Sequence, residues 1–201
     1  MRDYDFTQRW FVDDEMTQII KGVDKDSEIH LLEIGSFEGM STVWFLENVL
    51  LNVGSTITCI DPWVDYSQKS INNEQTYDWR FKDERSRFLY NISECGFKSK
   101  VTVREGFSCR MLSELIILDK KYDIVYIDGN HTPAFVLMDA VMSWNLLKNG
   151  GMMIFDDYLL KNFIDKIDPI PAIDAFLNIF SDYCELVFSG YKKAIVKKRD
   201  I

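Results

Sequence analysis

Several short stretches of the chain place chemically capable side chains at sharp changes of backbone direction. The run Leu32-Glu33-Ile34-Gly35-Ser36-Phe37-Glu38-Gly39-Met40-Ser41-Thr42 joins an apolar segment to a turn with two glycines and then to a helix start. Glycine tolerates positive φ and close backbone approach, and the unpaired N–H groups of a helix start face whatever lies over the turn. Gly35 and Gly39 therefore suit a bound ligand, although a tight strand-to-helix turn without one has the same composition. Their spacing is GxxxG rather than GxGxxG, so the middle glycine that cradles a pyrophosphate is missing. Asp61 directly follows the next apolar run, where a carboxylate can accept hydrogen bonds from both hydroxyls of a ribose.

Two later apolar runs end in acid: Tyr126-Ile127-Asp128-Gly129-Asn130-His131 and Ile154-Phe155-Asp156-Asp157-Tyr158. On adjacent parallel strands these ends meet. Asp128, Asp156 and Asp157 would then raise one another's pKa unless a cation neutralised them, and oxygen ligands favour a hard divalent ion such as Mg²⁺ or Mn²⁺. Strand-end aspartates also serve as caps and turn formers. His131 is one of two histidines. A neutral imidazole of pKa about 6.5 can take a hydroxyl proton, typically contributing on the order of 10²–10⁴ in rate, but His131 can equally cap the helix that opens at Pro133. The other histidine, His30, falls inside a strand-like run and reads as structural.

With Glu33, Gly35, Ser36 and Gly39 in place and Asp61 after them, the sequence resembles class I methyltransferases. The acidic ends resemble those of metal-dependent small-molecule O-methyltransferases, of the catechol type and of the macrolide-sugar type related to macrocin O-methyltransferase. The resemblance implies an S-adenosylmethionine site drawn from Glu33, Gly35, Ser36, Gly39, Ser41, Thr42, Asp61, Gly106, Ser108 and Asp128. It further implies metal ligands at Asp128, Asp156 and Asp157, with His131 as general base and Asp128 beside it in the chemistry. Glu105-Gly106-Phe107-Ser108 departs from the family's Gly-Asp-Ser at Phe107, so no side chain there is assigned to the adenine amine. The IDGNH and FDDY strings look closest to the sugar-modifying group, and that resemblance implies a hydroxyl of a small molecule or glycan as acceptor, a sugar vicinal diol above all.

These residues need a scaffold that brings strand ends to one edge. Strand-length apolar runs at 29–34, 56–60, 100–104, 122–127 and 151–155 alternate with helical periodicity at 40–51, 83–95, 110–118 and 133–147. That alternation predicts an α/β, Rossmann-like fold with helices on both faces of a mostly parallel sheet. A short helix at 172–180 precedes strands at 183–188 and 193–197, whose short connection through Ser189-Gly190-Tyr191 forces an antiparallel hairpin and completes seven strands. One domain over 1–201 is expected, with a helical cap at 1–27. Residues 62–82 form either a lid over the substrate or a packing insertion. Tyr4, Trp10, Trp63, Tyr66 and Trp79 are candidates to stack on an acceptor, and equally to pack.

The 201 residues carry a formal charge of −9, which repels a nucleic-acid backbone. Lys192, Lys193, Lys197, Lys198 and Arg199 read as solvated guards of an edge strand. The four cysteines show no CxxC spacing, and no apolar run reaches membrane-spanning length, so a cytoplasmic protein without a membrane or nucleic-acid partner is expected. A homo-oligomer, or a place within a longer multidomain protein, is left open. The competing readings are an NAD-dependent oxidoreductase, with Asp61 on the ribose, and a non-catalytic binding module of a glycan-modifying assembly.

Overall fold

A computed structural model of the chain describes residues 2–11, 13–64, 70–71, 74–75, 83–162 and 167–198. In chain order the elements are α1 (Asp13–Ile19), β1 (His30–Ile34), α2 (Met40–Asn48), β2 (Thr56–Asp61), β3 (Ser70–Ile71), β4 (Glu74–Gln75), α3 (Glu84–Glu94), β5 (Val101–Glu105), α4 (Ser108–Ile117), β6 (Tyr122–Ile127), α5 (Pro133–Trp144), β7 (Leu147–Phe155), α6 (Ile170–Ile179), β8 (Cys184–Ser189) and β9 (Lys193–Lys197). Seven strands form one sheet in the order β5-β2-β1-β6-β7-β9-β8, and among the described residues β3 pairs with β4 alone. The pairs from β5 through β7 are parallel, and β9 runs antiparallel to both β7 and β8.

Period-2 alternation divides each central strand between two cores. Leu32, Ile34, Val125, Ile127 and Phe155 face a layer that includes Leu112 of α4, Val136 of α5 and Phe176 of α6. Leu31, Ile124, Tyr126 and Ile154 face the opposite layer, with Met16 of α1, Phe45 of α2 and Phe88 of α3. Helices thus cover both faces, as the alternating runs predict.

The chain leaves β1 toward β2 on one side, and later returns to place β6 on the other. This reversal opens a crevice at the carboxyl ends of β1 and β6, the place where open α/β sheets take ligands. The register makes those ends level: Ile34 pairs with Ile60 and with Ile127, and Ile127 pairs with Phe155. The next residue on each strand is Gly35, Asp61, Asp128 and Asp156, so one row along the sheet edge holds all four.

Three expectations change. The helix expected through residue 147 ends at Trp144, and β7 begins at Leu147 with a register shift opposite Tyr122 and Ile124. Gly150, at φ +80°, turns the chain there. The expected N-terminal cap is helical only from Asp13 to Gly22, whereas residues 2–11 lie in no helix and place Tyr4, Phe6 and Phe11 against the core. Lys192 and Lys197 are not solvated guards: they are 3% and 2% exposed. The Lys197 ammonium donates to the carbonyl of Trp144 at the end of α5, at 3.1 Å, and to that of Leu147 at the start of β7, at 2.9 Å. Most of the expected insertion at 62–82, including Tyr66 and Trp79, lies outside the described residues. Among the described residues, no helix is long and apolar enough to cross a membrane.

Candidate active site

The glycine turn after β1 is built by buried polar contacts. Glu33 is fully buried beneath it and accepts hydrogen bonds from Ser36 Oγ at 2.7 Å, Ser41 Oγ at 2.6 Å and the Thr42 hydroxyl. Burial raises the Glu33 pKa, and the three hydroxyls oppose that rise. Glu33, Ser41 and Thr42 are therefore spent on one another, shaping the turn from below. Gly35, at φ +85°, cannot be replaced without collision, because a Cβ would fall 2.0 Å from the Asp128 carbonyl oxygen. Gly39, also at φ +85°, opens α2 with its N–H groups toward the crevice end of β1. The contact at Gly35 and the Asp128 N–H bond to the Ile34 carbonyl, at 2.8 Å, join the glycine turn to the acidic centre.

Asp61 holds the outer side of the same turn. Its Oδ2 accepts the N–H groups of Ser36 and Phe37, each at 2.9 Å, and its Oδ1 accepts Trp63 N–H at 2.7 Å. Burial pushes its pKa up and these amides pull it down. Gly106 N–H donates to the Asp61 carbonyl at 3.0 Å, which brings the loop after β5 alongside. Ser108 begins α4, and its side chain bonds Asp139 of α5. Trp10 is 59% exposed and stacks on Phe37, with ring centroids 5.1 Å apart. Trp63 donates its indole N–H to the Phe37 carbonyl at 2.8 Å, and Tyr4 donates to Glu47 at 2.7 Å, so packing and hydrogen bonding account for these two.

Asp128, Asp156, Asp157 and His131 meet at the ends of β6 and β7. The ligand atoms of Asp128, His131 and Asp157 lie within 4.8 Å of one another. His131 Nε2 is 3.4 Å from Asp157 Oδ2 and 3.9 Å from Asp128 Oδ1. Burial, followed by the charges of Asp156 and Asp157, drives the Asp128 pKa well up, and Asp157 is raised by burial and by Asp156. Asp156 is differently engaged. It accepts hydrogen bonds from the Lys192 ammonium and the Tyr126 hydroxyl, and from the Asp157 N–H at 2.7 Å. Tyr126 also donates to Asp128 Oδ2 at 3.2 Å.

Four participants escape a reading of the sequence alone. Tyr126 points from the strand interior into the carboxylates, and Tyr191 bonds Asp157, whose charge together with burial pushes the phenol up to about 12. Lys192 arrives on the turn between β8 and β9. Glu15 of α1 fixes that turn by accepting Tyr191 N–H at 3.0 Å and Lys192 N–H at 2.8 Å. No local pattern announces these four, because each has a partner distant in the chain, Asp156 in the case of Tyr126.

A family model described as a methyltransferase domain matches residues 32–158, well over half of the chain, from β1 through the end of β7. Glu15, Tyr191 and Lys192 lie outside that match. An uncharacterized protein of Acanthamoeba polyphaga mimivirus is 23% identical over 175 residues, covering 86% of this chain and 68% of that one. The fold is shared with an O-methyltransferase from Bacillus cereus solved in complex with SAH, at TM-score 0.63 and 16% identity over 93% of this chain and 83% of that one. It is shared too with the MycE methyltransferase of the mycinamycin biosynthetic pathway, solved with Mg and SAH, at TM-score 0.62 and 11% identity over 92% of this chain and 49% of that one.

Proposed function

The chain belongs to the methyltransferase-domain family, and from that premise we propose that it transfers the methyl group of S-adenosylmethionine to a hydroxyl of a small molecule or glycan, a sugar diol above all. The observation that carries this reading is the level row of strand ends, where Gly35 packs directly on the Asp128 backbone. A donor lying over the glycine turn is thereby held next to the acidic centre. Asp61, whose oxygens accept the Ser36, Phe37 and Trp63 amides, flanks that turn and would offer its remaining lone pairs to the donor's ribose.

The centre fits a divalent ion. Asp128 and Asp157 offer carboxylate oxygens beside a ring nitrogen, and burial, followed by the charge of Asp156, disfavours their ionised forms, a cost that a bound cation would offset. Such an ion, when bound, would acidify the acceptor hydroxyl. Asp128 and Asp157 would hold it, and His131 would accept the hydroxyl proton at Nε2 as the oxygen attacks the methyl carbon. That attack forms the O–C bond, breaks the S–C bond of the sulfonium and leaves S-adenosylhomocysteine. Most of the acceleration would come from holding oxygen and methyl in line, roughly 3–3.5 Å apart.

The test is transfer of label from S-adenosylmethionine to a panel of rhamnosides, other sugars and catechols, with Mg²⁺ and with excess EDTA. Labelled product from a diol only when metal is present is the expected outcome. Full transfer in EDTA removes the ion from the mechanism, and stabilisation by NADH but not by S-adenosylhomocysteine replaces the whole reading with an oxidoreductase.

A further inference from the structure

Lys192 reaches the acidic centre at Asp156, whereas His131 lies against Asp157 and Asp128. It is 3% exposed, its ammonium sits on Asp156 Oδ1, and its nitrogen lies 5.5 Å from the centroid of the Phe11 ring. Its backbone is fixed: Glu15 accepts its N–H, and a Cβ on the neighbouring Gly190 would fall 2.5 Å from Glu15 Oε1. A buried ammonium is costly unless paired, so a lysine delivered by so constrained a turn belongs to the centre it reaches.

Its effect is on ligand supply. Asp156 receives Lys192 and the Asp157 amide on Oδ1 and the Tyr126 hydroxyl on Oδ2, so both oxygens are engaged. Asp128, His131 and Asp157 remain as the mutually close group. Three carboxylates less one ammonium leave two negative charges, which one dication balances. A fixed positive charge at this range also opposes a second cation.

We propose that Lys192 is a resident cation that withholds Asp156 from the metal, so that the protein binds its divalent ion through Asp128 and Asp157 and binds it weakly. This rests on the metal-assisted reading above. Lys192 acts here as a positioning residue, through Asp156, and not by touching the acceptor.

The experiment is titration of Mn²⁺ into the full chain with S-adenosylhomocysteine present, followed by electron paramagnetic resonance and by thermal unfolding. Lys192→Met should bind Mn²⁺ about tenfold or more tighter than the parent, because Asp156 becomes available and the repelling charge is gone. Its Tm should fall in EDTA and recover with Mn²⁺. Lys192→Arg should match the parent, and Asp156→Asn combined with Lys192→Met should return to the parent's affinity. Equal or weaker Mn²⁺ binding by Lys192→Met overturns the proposal while leaving the metal centre standing. If neither the parent nor any variant binds Mn²⁺ although S-adenosylhomocysteine still binds, the metal reading itself is overturned. Should Lys192→Met not fold, Lys192→Gln, which keeps a neutral donor to Asp156 but removes the ammonium charge, should still bind Mn²⁺ more tightly than the parent, and equal or weaker binding by it overturns the proposal.

Discussion

His131 faces two carboxylates with one ring nitrogen, and that nitrogen has a single lone pair. Spent on an ion, it cannot take a proton, so the roles of ligand and base exclude each other. The proposed role as base gives a clear expectation for His131→Ala: kcat falls on the order of 10²–10⁴ while the affinities for S-adenosylhomocysteine and Mn²⁺ stay near the parent's. Single-turnover kinetics alongside calorimetry measures both quantities. Loss of Mn²⁺ binding would instead make the imidazole a ligand. The acids of this centre were legible in the sequence because each ends an apolar run, whereas Lys192 was not. A lysine near other lysines reads as solvated until Asp156 is known to lie against it.

At the scale of elements, the turn after β1 is the most constrained piece of backbone in the crevice. Gly35 needs a left-handed φ of 85°, and the space where a side chain would begin is filled by the Asp128 carbonyl, 2.0 Å away. Gly35→Ala therefore pays twice: roughly 1 kcal/mol or more for the conformation, and a further loss as β1 and β6 separate at their ends. The expected result is a variant destabilised by about 2–4 kcal/mol in urea unfolding, with S-adenosylhomocysteine binding lost. Parent-like binding would show that the donor does not use this turn. The central strands β1, β2 and β6 were legible to within a residue because parallel strands buried on both faces read as continuous apolar runs. The start of β7 was not, since Leu147 to Gly151 continues the chemistry of a helix end and only pairing with β6 draws it into the sheet.

Across the whole molecule, stability carries a pH signature from a carboxyl outside the group formed by Asp128, His131, Asp156 and Asp157. Asp139 of α5 is 1% exposed, and its Oδ1 has no hydrogen-bond partner among the described residues. Burial raises its pKa to about 6, against a bond from Ser108 that lowers it. Below about pH 4 the folded and unfolded chains both hold this proton. As pH rises the unfolded chain releases it first, so folding loses stability until the folded carboxyl has also ionised, near pH 6, and changes no further above that. The full loss is about 3 kcal/mol. Asp139→Asn should match the parent at pH 4 and exceed it by about 1–3 kcal/mol at pH 7.5, read from urea unfolding at both values. A less stable variant at pH 7.5 would mean that the ionised carboxylate is held by a favourable partner.

The position of β9 between β7 and β8 bears on how the molecule comes into being. Residues 184–189 are translated before 193–197, yet they have no place in the sheet until the later segment has slotted in ahead of them. A nascent chain halted just short of Lys192 would already own every carboxylate of the crevice and lack its ammonium. Synthesis thus delivers the repulsion first and the relief afterwards, and the hairpin's arrival is the step at which the crevice can settle.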